Sequence, residues 1–266
     1  MLIITMTTWL KRINNIPSVI DSILSQTLKP DKICLNLSKE EFDNGNLIPK
    51  NVKDYIVNHP IIEINYIEGK NTKQWKKIIP TLLKYPKDWV ICIDDDQIYK
   101  NDFISKLWEK HNSFPNNPIT INSSFKVGGF LQHCGHGTLE HSKFYNNFND
   151  IHNLEEIYDK FSSSDTFFTY LSNKCGYEFL PISNGFSLSR TFNEVEPLRK
   201  TSKTCQLKNI NDTFKYFNEN YGNITNNEKE KNIKQISYSY VNDIYQADVY
   251  RFNSNINKKQ VIRKFR

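Results

Sequence analysis

A short apolar run, Trp89-Val-Ile-Cys-Ile93, leads directly into three adjacent carboxylates, Asp94, Asp95 and Asp96. The run has the length and branching of a strand buried on both faces. Three charges on its end cannot be buried with it unless something neutralises them. The strand therefore has to finish where the carboxylates meet a ligand or a partner group. In open α/β sheets that place is the crevice outside the carboxyl ends of the strands.

The sequence before this run predicts the rest of such a sheet. Strands are expected at Leu2–Thr7, Lys32–Leu37 and Ile61–Ile67, and a further one at Ile119–Asn122. Between them, Pro17–Ser25 carries apolar residues in helical rhythm at 16, 19, 20, 23 and 24, with Pro near the first turn. Lys50–Val57 reads as a short helix. Thr72–Lys84 reads as helical with Pro80 kinking or restarting it, and Asn101–Asn112 as a helix capped by Asn101. The alternation implies an α/β fold with an open, mostly parallel sheet and right-handed crossovers.

The second half changes character. Ser123–Asn153, rich in Gly, His and Asn, reads as a long functional loop or lid. Leu154–Phe161 and Asp165–Cys175 are expected to be helical and Glu178–Ile182 a strand, with polar helical segments at Asn209–Asn220 and Glu228–Tyr250. The expected organisation is one compact domain. Its parts are an α/β half at 1–125, a second half with a mobile loop at 126–205, and a helical C-terminal extension at 206–266.

Charge and composition exclude several classes. Lys plus Arg number 35 against 29 Asp plus Glu, and the excess gathers at Lys258–Arg266. That tail reads either as a solvated end or as a patch attracted to anionic lipid or a polyanionic substrate. No basic, aromatic-interleaved motif recurs, so nucleic acid is not an expected partner. Five scattered cysteines point to a reduced, cytoplasmic protein. Met1–Thr8 lacks the plan of a signal peptide, and no apolar run reaches the roughly 20 residues that span a bilayer. Any membrane association is then peripheral, on the inner face.

Packed carboxylates raise one another's pKa unless a cation neutralises them. If the backbone stays extended, alternation puts Asp94 and Asp96 on one side and Asp95 on the other. Asp94 and Asp96 together suit a hard divalent ion, Mg²⁺ or Mn²⁺, which leaves coordination positions for phosphate oxygens. The plainer alternative is an acidic loop ahead of the helix that begins near Asn101. There is no G-x-x-x-x-G-K-[ST] and no G-x-G-x-x-G after the first strand, which argues against P-loop and Rossmann nucleotide sites.

The residues "MTTWLKRINNIPSVIDSILSQTLKPDKICLNLS" and "KQWKKIIPTLLKYPKDWVICIDDDQIY" resemble the nucleotide-binding half of bacterial family-2-like glycosyltransferases of the GT-A fold. The resemblance covers residues 1–125 and thins beyond. "HCGHGTLEH" sits where such proteins have a Gly-rich acceptor-side loop. "SSSDTFFTYL" sits where they carry an acidic pair opening a helix; here Ser164 replaces the first acid and Asp165 remains.

The resemblance implies roles. Thr5, Thr7 and Thr8 would offer hydroxyls to the nucleotide, and Arg12 a fork for phosphate or base. Asn36 and Ser38 are placed to read the base. Lys73 and Lys77, spaced i, i+4 on a helix, would meet the diphosphate, with Asp94 and Asp95 on the donor and Asp94 and Asp96 on the metal. Each also has a plain structural reading: strand propensity for the threonines, a solvated face for the lysines, an N-cap for Asp165. As catalytic base, Asp165 would take the acceptor's proton, and the reaction would invert the anomeric carbon. His133, Cys134, His136 and His141 match no familiar zinc spacing, though one histidine could complete the metal's shell. Gly128, Gly129, Gly135 and Gly137 suit a closing loop, and Asn242-Asp243 reads as a surface helix pair.

The expected function is metal-dependent transfer of a sugar from a nucleoside-diphosphate sugar, UDP-sugar favoured, to a hydroxyl of a glycan or glycolipid acceptor. The acceptor class is a surface glycan such as capsule or lipooligosaccharide. Two rivals are a nucleotidyltransferase that makes the sugar nucleotide and a non-catalytic carbohydrate-binding or scaffold protein on the same fold. The glycine-free "TTWLKRINN" after the first strand speaks against the former.

Overall fold

The structure is a computed structural model that describes residues 1–121, 126–127, 130–131, 136–145, 164–182, 188–191, 215 and 219. Its centre is a seven-stranded sheet. Four strands come from the first half: β1 (Leu2–Thr7), β2 (Lys32–Ser38), β3 (Ile62–Ile67) and β4 (Trp89–Cys92). β4 pairs with β1, β1 with β2 and β2 with β3, all in parallel. The register sets Thr5 beside both Cys34 and Cys92 and Thr7 beside Asn36, so the carboxyl ends of β1, β2 and β4 finish together. Ile3, Ile4, Met6, Ile33, Leu35, Val90 and Ile91 are fully buried, as expected of strands covered on both faces.

The crossovers are α1 (Ile16–Leu24), α2 (Lys39–Phe42), α3 (Lys50–Val57) and α4 (Ile79–Lys84). Pro17 and Pro80 stand in the first turns of α1 and α4, where a missing N–H leaves no bond unmade. Pro80 thus restarts a helix, and the stretch before it is a 3₁₀ turn, Lys73–Lys77. β5 (Gln97–Tyr99) precedes α5 (Phe103–Ser113), whose N-cap is Asp102 without a side-chain capping bond. The expected cap, Asn101, instead accepts the backbone N–H of Thr27 with its carbonyl, at 2.8 Å, which ties α5 to the end of α1.

Beyond residue 118 the sheet becomes mixed. β6 (Ile119–Thr120) is followed by a short hairpin of β7 (Lys126–Val127) and β8 (Phe130–Leu131) and by β9 (Thr138–Glu140). β9 inserts antiparallel between β4 and β6. The sequence reading places that strand inside a loop, because three residues carry no measurable period; pairing on both sides makes them a strand. α6 (Ser164–Lys174) leads to β10 (Leu180–Pro181), which is parallel to β6 at the sheet edge. β11 (Ser189–Thr191) pairs antiparallel with β5.

α6 seats Phe167, Phe168, Tyr170 and Leu171 against Trp75, Ile78, Ile79 and Leu82 of the segment that precedes β4. Each such side chain contributes about 1.5–3 kcal/mol when fully buried. The rings of Trp75 and Phe167 lie 4.9 Å apart. This packing brings the start of α6 to the lysine-bearing turn. The expected helices at 154–161 and 228–250 lie outside the described residues, as do Asn242 and Asp243. Of the expected C-terminal extension only Lys215 and Glu219 are described, both helical.

Candidate active site

The aspartates lie past the end of β4, where the chain leaves the strand at Cys92 and turns. The extended alternation expected from the sequence does not apply there. Asp95 and Asp96 share one partner, Arg12, whose Nη1 donates to Asp95 Oδ1 at 2.9 Å and to Asp96 Oδ2 at 3.0 Å. Asp95 Oδ2 accepts the Thr8 hydroxyl at 2.6 Å. Arg12 and Thr8 thereby fasten the loop after β1 to the end of β4. Burial pushes the Asp95 carboxyl above its ordinary value, against the pull of Thr8 and Arg12.

Asp94 has a different set of partners. Its Oδ1 accepts Lys77 Nζ at 2.5 Å. Its backbone N–H donates to the Tyr99 hydroxyl at 3.0 Å. His136 Nδ1 lies 3.0 Å from Asp94 Oδ2, off the line of a straight hydrogen bond and with no other partner among the described residues. Burial works against both charges of the Lys77–Asp94 pair. Each overcomes it through the other: the ammonium is held well above its ordinary pKa and the carboxyl far below. The Asp94 charge raises the His136 pKa. Two protein cations, Arg12 and Lys77, thus face the three carboxylates, with the His136 imidazole beside Asp94.

Lys77 is held from behind. Its carbonyl accepts the Thr5 hydroxyl at 2.5 Å and the Asn36 amide at 3.3 Å. Asn36 also donates to Thr5 Oγ1 and Thr81 Oγ1, each at 3.0 Å, and accepts from Asn65 at 3.0 Å. Thr5 and Asn36 are fully buried. Their polar groups therefore face this network, which sets the position of the lysine turn. Thr7 donates to the Asn36 carbonyl at 2.6 Å, and Ser38 caps α2 by accepting the Glu41 N–H.

The expected i, i+4 face of Lys73 and Lys77 is absent, because a 3₁₀ turn has three residues per turn. Lys73 is exposed, with a left-handed φ of 49°. Lys76 and Lys77 are buried. Lys76 Nζ donates to Asn71 Oδ1 at 2.5 Å and to the Lys73 carbonyl at 3.0 Å, and burial lowers its pKa to about 8. Asn71 in turn donates to Glu41 at 2.7 Å, and Glu41 accepts the Leu10 N–H at 3.1 Å. The loops after β1, β2 and β3 are joined through these contacts. The sequence reading missed Glu41, Asn71 and Tyr99 because none has a motif.

Asp165 stands in the first turn of α6, one residue inside the helix. Its negative charge raises the pKa of both Lys77 and His136, which places it within electrostatic reach of the Asp94 cluster. The carboxyl ends of β1, β2 and β4 thus hold Thr8, Arg12, Asp94, Asp95, Asp96 and Lys77, with His136 and Asp165 added from the second half. Such an edge can bind a phosphate-bearing ligand between cationic and anionic groups.

No family model matches the sequence, and no curated protein matches it. Solved structures do. The mannosyltransferase PcManGT from Pyrobaculum calidifontis, in complex with GDP-Man and Mn²⁺, superimposes with a TM-score of 0.50 at 12% identity, over 68% of this chain and 54% of that one. Residues 1–349 of S. aureus TarS, in complex with UDP-GlcNAc, give 0.52 at 10% identity, over 76% of this chain and 61% of that one. The fold is GT-A-like. The chain spans between half and two-thirds of the length of these two structures, and at these identities the likeness is one of fold.

The donor set here can be tested against a divalent ion. Asp94 and Asp96 each expose 23% of the side chain and Asp95 10%, so the first and third carboxylates are the ones open to a ligand. Asp94 Oδ2 and His136 Nδ1 oppose each other without a straight bond between them. Carboxylate oxygens in small number suit Mg²⁺ or Mn²⁺, which keep several non-protein ligands. Among the described residues no three His, Cys, Asp or Glu side chains form one ready cluster. The residues fit an ion held by few protein donors. His133 and Cys134 lie outside the described residues. His141 meets Trp89 edge-on, ring centroids 5.0 Å apart, in a packing role.

Proposed function

We propose that the chain is a glycosyltransferase that moves a sugar from a nucleoside-diphosphate sugar to a hydroxyl of a glycan or glycolipid acceptor. The observation that carries this reading is the charge-clamped aspartate triad at the carboxyl end of β4, in a fold shared with a mannosyltransferase and a second protein whose structures both hold nucleotide sugars. One holds GDP-Man with Mn²⁺ and the other UDP-GlcNAc. A UDP-sugar remains the favoured donor, and a surface glycan such as capsule or lipooligosaccharide the favoured acceptor.

In this reading Asp94 and Asp96 hold a divalent ion, Mn²⁺ or Mg²⁺, with His136 beside them. When bound, such an ion neutralises charge on the departing diphosphate. The chain's own residues do the rest. Lys77 places an ammonium at the same seat. Arg12 and Thr8 fix Asp95, and with it the loop that borders the nucleotide. Thr5, Thr7 and Asn36 hold the strand ends and the Lys77 turn in register; Lys73 lies at the exposed rim. Asp165 accepts the proton of the acceptor hydroxyl as that oxygen attacks the sugar carbon, and the product is inverted.

Among the described residues no helix is long and apolar enough to cross a membrane. We assign the protein to the cytoplasm, with the basic segment Lys258–Arg266 giving peripheral contact to an anionic inner surface. The deciding experiment is a panel of UDP-, GDP-, CDP- and dTDP-sugars incubated with the protein and Mn²⁺. Slow release of free sugar from one of them is expected. Binding without turnover would leave a carbohydrate-binding protein on this fold, and neither binding nor release would remove the reading.

A further inference from the structure

We infer that Lys77 is a resident counter-cation of Asp94, which must leave that carboxylate before a divalent ion can take it, so that metal and nucleotide bind only in mutual support. The inference rests on the donor reading above and concerns how that site is loaded.

The geometry is specific. Lys77 Nζ is 2.5 Å from Asp94 Oδ1, and its side chain is 10% exposed. Among the described residues it makes no second ion pair. The turn that carries it is fixed, since Thr5 and Asn36 both bond its carbonyl from the buried side. Arg12 holds Asp95 at 2.9 Å and Asp96 at 3.0 Å, and His136 lies 3.0 Å from the other oxygen of Asp94. Each of the three carboxylates therefore already has a protein cation as a partner, Arg12 for Asp95 and Asp96 and Lys77 for Asp94. A divalent ion arriving alone would put two further positive charges beside a buried ammonium that has just lost its partner, and an unpaired buried charge is strongly unfavourable.

A nucleoside diphosphate arriving alone meets the mirror problem, because its phosphates approach three carboxylates and the nearest ammonium is already paired with one of them. When both arrive, the diphosphate supplies the ammonium with a new anion and Asp94 is released to the ion. Each ligand removes the obstacle to the other. By linkage, the factor by which nucleotide strengthens metal binding equals the factor by which metal strengthens nucleotide binding. Lys77 is the residue through which that factor acts. It is a positioning residue in this role.

The test is a binding measurement on the full chain, with Mn²⁺ followed by the electron-spin resonance of the free aquo ion and UDP or GDP added as the nucleotide. For the native protein, saturating nucleotide should tighten Mn²⁺ at least tenfold. Lys77→Met keeps the length of the side chain and removes the charge. It should tighten Mn²⁺ on the nucleotide-free protein at least tenfold and shrink the gain from nucleotide. Lys77→Arg should retain the native coupling, and far-ultraviolet circular dichroism shows whether each variant is folded. Native protein that binds Mn²⁺ equally with and without a bound nucleotide overturns the inference. So does Lys77→Met that leaves nucleotide-free Mn²⁺ affinity unchanged. If neither UDP nor GDP binds under any condition, the donor reading falls, and the Lys77→Met metal measurement then decides the role of Lys77 by itself.

Discussion

The hydroxyl of Thr8 donates to Asp95 Oδ2 across 2.6 Å, joining two residues 87 positions apart in the chain. With Arg12 on the other oxygen of the same carboxylate, at 2.9 Å, it makes Asp95 the post to which the first loop is tied. The middle aspartate is thus the most enclosed of the three, and its neighbours are the ones left open to a ligand.

Removing the tie should cost stability first. Arg12→Met leaves Asp95 buried without its cation and Asp96 without its partner. Breaking a buried pair from one side costs about 3–5 kcal/mol. Arg12→Lys offers one point charge for two carboxylates and should lose less. Urea denaturation of the two variants gives the order; equal stability of Arg12→Met and the native protein would refute the clamp.

Asn36 should act through Lys77. Asn36→Ala deletes an amide that meets Thr5, Thr81 and the Lys77 carbonyl. Leaving buried partners unsatisfied costs about 1–3 kcal/mol. Nucleotide affinity should fall with it because the lysine turn loses its backing. A variant with native stability and tenfold weaker nucleotide binding would instead show direct contact with the base.

Asp165→Asn should separate binding from transfer. The amide keeps the shape and loses the proton acceptor, so turnover should drop by about 10²–10⁴ while donor affinity stays near native. Donor affinity and transfer are measured separately, by calorimetry and by product formation. Unimpaired transfer would place the base elsewhere.

Acid should loosen the far end of the sheet. His111 and His141 both pack their rings against Trp89, tilted and edge-on, with centroids 4.0 and 5.0 Å away, and burial lowers both their pKa values from 6.5. Lys143 stands over the same ring at 4.8 Å and opposes a second charge there. The folded pair stays neutral where the unfolded chain takes up protons, so its stabilisation is full above pH 6.5 and is lost as pH falls below it. His136 has the opposite sign: Asp94 raises its pKa, and its contribution is present at acid pH and lost as pH rises. Melting temperatures between pH 7.5 and 5.5 should therefore fall less in His111→Phe than in the native protein. Parallel pH profiles for the two would exclude the ring packing as the source.

Much of the first half was legible in the chain. The alternation of apolar runs and helical rhythm locates β1 to β4 and α1 within a residue or two, because strands covered on both faces need uninterrupted apolar residues. The 3₁₀ turn at Lys73–Lys77 escapes such a reading, since five residues do not distinguish a period of 3.0 from 3.6. β9 escapes it too: Thr138, Leu139 and Glu140 are all buried, and Glu140 accepts the hydroxyls of Thr138 and Tyr145, a pairing no local period announces.

By itself the sequence determined that a strand ends in three carboxylates at a ligand-facing edge, because apolar content and charge are local properties. Which cation meets which carboxylate was decided only in the folded chain. Arg12, Lys77 and His136 come from three distant segments, and neither the turn after Cys92 nor the antiparallel insertion of β9 is written in any short pattern. Pairing of charges depends on distances of about 3 Å, and those exist only once the sheet register and the packing of α6 on Trp75 are in place.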